Sequence, residues 1–216
     1  MGRVAFLCFV FWLFPSPQAL ATDPTSCPTH TILITNDTLT IAFHLAATYY
    51  PDLCSTKIHL KYGKIKTSMA ALPRFGSIFK KPHKRTYKII VNANPNKPQA
   101  RLIYDAPFDA IVGVMGHELA HVSDYNTKSS WQIARTGIRY MSKNQRKTIE
   151  HQTDSITIAR GLGMQLYQFA YYVAYEADLD EAYRQYKLDI YMSPEDIYNA
   201  VTTVGANGIR PIQPKP

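Results

Sequence analysis

The segment His117-Glu118-Leu119-Ala120-His121 sets two imidazoles four residues apart with a carboxylate between them. Residues four apart lie on one face of a helix, a turn apart, so both imidazoles can reach one metal ion. Glu118 is rotated by about 100° from His117. From there it can reach a metal-bound water without occupying a ligand position. With seven His and five Glu in 216 residues, the pattern arises by chance in roughly half a percent of chains of this composition. A coincidental pair of satisfied core histidines is therefore the weaker reading.

A catalytic zinc keeps three protein ligands and one open position. Glu150 and Asp154 stand four apart on the next predicted helix and share a face. Glu150 as third ligand completes a His₂Glu set. Asp154 can then accept a hydrogen bond from the free nitrogen of a ligand His and fix its tautomer. Asp154 as the ligand is the rival assignment. His151 projects about 100° away from Glu150 and is a weaker candidate. Asp124, one turn past His121, reads as a helix-end or supporting group.

Several elements must position these groups. Asn36 or Asp37 caps a first helix to about Tyr50. Ile58, Leu60 and Tyr62 alternate with polar residues, and Gly63-Lys64 reads as a turn into a second strand around Ile65–Met69. Pro73 to Arg85 reads as a loop, Tyr87–Ala93 as a strand, and Asn94 to Gln99 as a turn cluster. Asp105, with Pro107 in the first turn, caps a helix whose apolar stripe is Phe108, Ile111, Val112, Met115, Leu119 and Val122. Gly113 and Gly116 on it would allow close backbone approach. Ser142 and Gln145 form the pattern of a capping box for a helix from Lys143 to Arg160, and Gly161 is its C-cap. Tyr167, Tyr171 and Tyr175 form a stripe that reads as core or packing surface. A last helix follows Ser193-Pro194-Glu195. The fold class is α+β, with a small N-terminal helix, a short antiparallel or mixed sheet, the site helix and a mainly helical C-terminal half.

The residues GHELAH, followed by EHQTD and Ala159, make the chain resemble the gluzincin branch of the zincin metallopeptidases. In that branch H-E-x-x-H is joined by E-x-x-x-D on a later helix. The resemblance covers about residues 87–160. It implies one zinc held by His117, His121 and Glu150, a water activated by that zinc, and Glu118 as general base. It also implies an edge strand beside the cleft, here Tyr87–Ala93, along which extended peptides lie. The chain departs from the thermolysin-like pattern at Thr148-Ile149, where Asn-Glu would stand, and at Thr153, where several relatives have Ala. An oxyanion-stabilising side chain is also expected, but fifteen tyrosines offer no choice among them.

Residues 1–21 read as a secretory signal peptide. Arg3 precedes the apolar run Val4–Phe14, then a polar break, then Ala19-Leu20-Ala21 as the cleavage site. The chain is expected to be secreted or periplasmic, with a mature N-terminus near Thr22. Cys27 and Cys54 then form one disulfide. Residues 22–207 read as a single catalytic domain and 208–216 as a flexible Pro-rich tail. No later stretch is apolar enough to span a membrane. The chain carries a formal charge of +8. Residues 53–104 hold twelve Lys/Arg and no acid. Lys80, Lys81, Lys84 and Arg85 form a basic loop, which reads either as solvated or as a docking site for an anionic envelope polymer or acidic substrate. Export and the lack of a nucleic-acid motif argue against nucleic acid. The leading function is an exported zinc peptidase acting on peptides or proteins. The alternatives are a non-catalytic zinc-binding envelope protein and a zinc amidase acting on cell-wall peptides.

Overall fold

The structure, a computed structural model, describes Cys27 and residues 29–206 apart from residue 95. The expected signal peptide and the Pro-rich tail lie outside the described residues. The chain begins with β1 (His30–Leu33) and α1 (Asp37–Ala47), followed by β2 (Lys57–Gly63), β3 (Met69–Pro73) and β4 (Thr86–Asn92). Helices α2 (Pro98–Tyr104), α3 (Phe108–Thr127), α4 (Ser130–Arg139) and α5 (Lys143–Thr157) come next. The last are α6 (Gly163–Tyr171), α7 (Glu181–Ile190) and α8 (Pro194–Ala206). The fold is α+β, a small mixed sheet followed by a mainly helical remainder. Among the described residues no helix is long and apolar enough to cross a membrane.

The sheet has the order β1-β2-β4-β3. β1 and β4 run parallel to β2, while β3 runs antiparallel to β4. Two sequence expectations fail here. Gly63-Lys64 does not turn a hairpin, because β4 lies between β2 and β3. The connection folds over the end of β4 instead, where Asn92 donates to the carbonyls of Ile65 and Thr67 at 3.0 and 2.9 Å. The strand expected at the edge, Tyr87–Ala93, is internal, and β3 is the edge strand. Burial explains the exchange. Tyr87, Ile89 and Val91 are fully buried, whereas the short β3 ends in Pro73, a residue suited to an edge.

The inner face of the sheet joins α1 and α3 in one core built on Phe43, Ile58, Leu60, Ile89, Met115 and Leu119. Asn36 caps α1, accepting from the Leu39 amide at 2.9 Å. α3 is buried on every side from Ala110 to Ser123, as a central helix must be. Gly113 and Gly116 make that possible. A Cβ on Gly113 would lie 2.2 Å from the Gln165 carbonyl oxygen, and one on Gly116 would lie 2.5 Å from Leu162 Cδ1. The chain bends between α5 and α6 at Gly161, whose φ of +95° suits glycine.

Local signals were misplaced at three other points. The turn cluster runs into α2, with Pro98 in its first turn, and Asp105 closes α2 rather than capping α3. α3 is entered through Pro107. Ser142 makes no side-chain cap, and the Gln145 side chain, which would complete a capping box by accepting from the Ser142 amide, accepts from Arg139 Nε at 2.8 Å instead. A capping box does form between Ser129 and Gln132, at the start of α4. The tyrosine stripe is only partly core: Tyr171 and Tyr175 are exposed, and with Tyr167 and Tyr198 they line an open groove.

Cys27 and Cys54 are joined in a disulfide. It ties the chain ahead of β1 to the turn before β2, the two strands that pair at the other edge of the sheet.

Candidate metal centre

α3 supplies His117, Glu118 and His121, and α5 supplies Glu150, Thr153 and Asp154; all six side chains are buried. The three atoms His117 Nε2, His121 Nε2 and Glu150 Oε2 converge. The Glu150 oxygen lies 3.0 Å from the first nitrogen and 3.3 Å from the second. His117, His121 and Glu150 could hold a metal ion, each offering one atom within 4.8 Å of the others. Ligands at about 2.0–2.1 Å from a tetrahedral zinc are separated by about 3.3 Å, which the two distances to Glu150 Oε2 match.

The ring nitrogens pointing away from that centre are engaged. His117 Nδ1 lies 2.8 Å from Asp154 Oδ1, and a carboxylate there requires Nδ1 to donate. Asp154 is itself held by the Met192 backbone amide, which donates to Oδ2 at 3.0 Å. His121 Nδ1 lies 3.2 Å from Thr153 Oγ1. That hydroxyl donates to the Ile149 carbonyl at 2.9 Å, so its oxygen is left to accept from His121. Both imidazoles are therefore set with Nδ1–H outward and the Nε2 lone pair toward Glu150. Two lone pairs facing one carboxylate repel unless a cation sits among them. Either a proton or a metal ion satisfies the arrangement.

The electrostatics agree. Burial opposes charge on His117, but hydrogen bonding and the field of Asp154 and Glu150 outweigh it, raising its pKa to about 10. Burial also opposes charge on Glu150, yet His121 and His117 hold its carboxyl well below the usual range. Tyr140, at the end of α4, donates to Glu150 Oε1 and leaves Oε2 for the centre. Arg146 fixes Tyr140 in turn, donating to its carbonyl at 2.8 and 3.0 Å.

Glu118 behaves differently. Its Oε2 is buried and has no hydrogen-bond partner among the described residues. Burial raises its pKa, opposed by His121, His117 and the Ala71 amide of β3. An orphan carboxylate oxygen beside a cation site is placed to bind a water or a proton. The cavity before it is lined by His117 and Asp154, by Ser68 and Met69 where β3 begins, and by apolar side chains such as Leu166 and Phe169.

Sequence reasoning brought His117, His121, Glu150 and Asp154 to one place, and they are together here. His151 is not in the cluster, and Asp124 pairs with Lys128. Thr153, noted only as a departure from a family pattern, orients His121. Tyr140 and the buried Lys187 were not singled out. Lys187 lines the cavity with its ammonium 4.5 Å from the centre of the Tyr191 ring. The basic loop departs from the sequence expectation at Arg85. Lys80, Lys81 and Lys84 are exposed, but Arg85 is only 1% exposed. Its guanidinium donates to the carbonyls of Lys80, Tyr125 and Lys128 at 3.0, 3.0 and 2.6 Å. It closes the C-terminal end of α3, and so belongs to the scaffold of the site rather than to a docking loop.

Comparison with protein-family models, with curated proteins and with solved structures returns no match for this chain. The features of the chain that bear on its function are the His117–His121–Glu150 cluster and the unpartnered carboxylate of Glu118 beside it.

Proposed function

We propose that this chain is an exported, zinc-dependent metallopeptidase of the gluzincin type. The observation that carries the reading is the convergence of His117 Nε2, His121 Nε2 and Glu150 Oε2 beside the unpartnered Glu118 Oε2. Zinc held by these three ligands would supply a Lewis acid that lowers the pKa of a coordinated water and polarises the scissile carbonyl.

The protein's own groups do the rest. Asp154 and Thr153 hold the two imidazoles in one tautomer and orientation. Tyr140 keeps Glu150 on a single oxygen. Glu118 takes a proton from the attacking water and returns it to the leaving amine. Its burial and raised pKa suit a group that must carry that proton between two steps. The edge strand β3, which opens at the cavity, offers unpaired backbone groups to an extended peptide. A purely structural zinc site is closed by four protein ligands and has no use for an orphan carboxylate, which favours the catalytic reading over the non-catalytic one. A disulfide between Cys27 and Cys54 is compatible with an oxidising compartment outside the cytoplasm.

The test is cleavage of a diverse peptide library by the zinc-loaded protein and by its Glu118→Gln variant. Wild type should cleave, while the variant keeps its zinc and loses rate by about 10²–10⁴-fold. A zinc-loaded wild type that cleaves nothing, or a variant that cleaves equally well, overturns the reading.

A further inference from the structure

The loop between β3 and β4 and the outer side of α4 expose large apolar side chains. Phe75 is 87% exposed, Phe79 79% and Trp131 74%. Ile138 and Met141 continue the exposed apolar series to the end of α4. Trp131 and Ile138 are seven residues apart and therefore share a helix face, while Ile133 and Thr136 on the opposite side are buried. The loop and the helix are joined where Ser130 Oγ donates to the Ile78 carbonyl at 2.7 Å. Arg85 joins them again by bridging the Lys80 and Lys128 carbonyls. Lone exposed apolar residues are ordinary, but aromatic residues grouped in this way are not.

The charge around them has one sign. Lys80, Lys81, Lys84 and Arg135 are exposed, and none is in a salt bridge among the described residues. The nearby acid Asp124 is neutralised by Lys128. Residues 53–104 contain no acid. Exposed Phe and Trp beside unpaired lysines are the two components of interfacial lipid binding. The rings enter the headgroup layer, and the ammonium groups meet anionic headgroups. A soluble polyanion would use the lysines alone and leave the rings in water.

We propose that the β3–β4 loop and α4 form a docking surface for an anionic lipid bilayer. Phe75, Phe79 and Trp131 insert, and Lys80, Lys81 and Lys84 supply the attraction. α4 is ten residues long, about 15 Å at 1.5 Å per residue. Tyr140 at its end holds Glu150. Docking therefore brings the metal centre within about a helix length of the lipid surface.

Trp131 provides a direct probe. The only other tryptophan, Trp12, lies in the expected signal peptide, so the processed chain, or a full chain carrying Trp12→Phe, reports Trp131 alone. Its emission is followed with vesicles of phosphatidylcholine and with vesicles containing phosphatidylglycerol, with brominated lipid added to quench an inserted ring. The expected result is a blue shift and quenching on phosphatidylglycerol vesicles only. Lys80→Gln/Lys81→Gln/Lys84→Gln should weaken this partition about a hundredfold at low salt, from about tenfold for each 1.4 kcal/mol and about 1 kcal/mol per lysine. Phe75→Ser/Phe79→Ser should weaken it about tenfold at any salt, because it removes buried apolar area. The apolar run near the N-terminus is the same in every variant, so differences between them report the patch. Trp131 emission that does not respond to phosphatidylglycerol overturns the proposal. So does equal binding of soluble polyphosphate by wild type and the Phe variant with no quenching by lipid, which would assign the lysines to an anionic polymer. Unchanged thermal unfolding of both variants in the absence of lipid excludes misfolding as the cause.

Discussion

Removing Asp154 should weaken the metal centre without abolishing it. Its Oδ1 is 2.8 Å from His117 Nδ1, and its Oδ2 accepts from the Met192 amide at 3.0 Å. Asp154→Ala leaves all three converging atoms in the protein but frees the His117 ring to rotate and to change tautomer. Loss of such a supporting carboxylate costs about 10–100-fold in metal affinity, or about 1.4–2.8 kcal/mol. Asp154→Asn should cost at least as much. An amide turned to donate to Nδ1 would favour the tautomer with a proton on Nε2, where the metal must bind. The assay is competition for zinc against a chromophoric chelator at fixed pH, with Glu150→Ala measured alongside. Complete loss of zinc in Asp154→Ala with retention in Glu150→Ala would instead make Asp154 the ligand.

Four further outcomes follow from the same geometry. In the metal-free protein His117 carries a proton at neutral pH, since its pKa stands at about 10; zinc binding must expel it, so calorimetry at pH 7 should show about one proton released per zinc, and apparent affinity should rise about tenfold per pH unit up to that value. Because this pKa is raised above the ordinary 6.5, the proton's stabilisation of the metal-free fold is fully present below about 6.5 and lost as pH rises through about 10, and thermal unfolding in chelator should follow that window. Arg85→Ala should cost about 3 kcal/mol or more in urea unfolding, because it strips a buried charged donor from three carbonyls, whereas neutralising Lys80, Lys81 and Lys84 should leave stability within about 0.5 kcal/mol. Lys187→Met should not lower the melting temperature, since it removes a buried ammonium with no carboxylate salt bridge among the described residues; a clear drop would mean the cation supports the fold.

The site was more legible in the sequence than the sheet. His117, His121, Glu150 and Asp154 lie on two helices, and helical spacing alone places i and i+4 on one face. Which strand lies beside which is set by long-range burial. Alternation in Lys57–Gly63 and Thr86–Asn92 indicates strands but not that the second would sit between the first and Met69–Pro73. β1 was missed because four residues give too little alternation to read. Arg85 was misread because an arginine in a run of lysines looks solvated, and only the arrival of the end of α3 over it makes it a cap. Tyr140 and Thr153 carry no motif of their own. Their roles come from tertiary contact with Glu150 and His121.

Zinc K-edge absorption spectroscopy on the purified chain, with metal analysis of the same sample, reads the metal and its ligands together. One zinc per chain is expected, bound by two imidazole nitrogens and oxygen ligands at about 2.0–2.2 Å, with the signal lost in His117→Ala, His121→Ala and Glu150→Ala. A protein that retains no zinc after equilibration with micromolar metal, or a spectrum unchanged by these three substitutions, would contradict it.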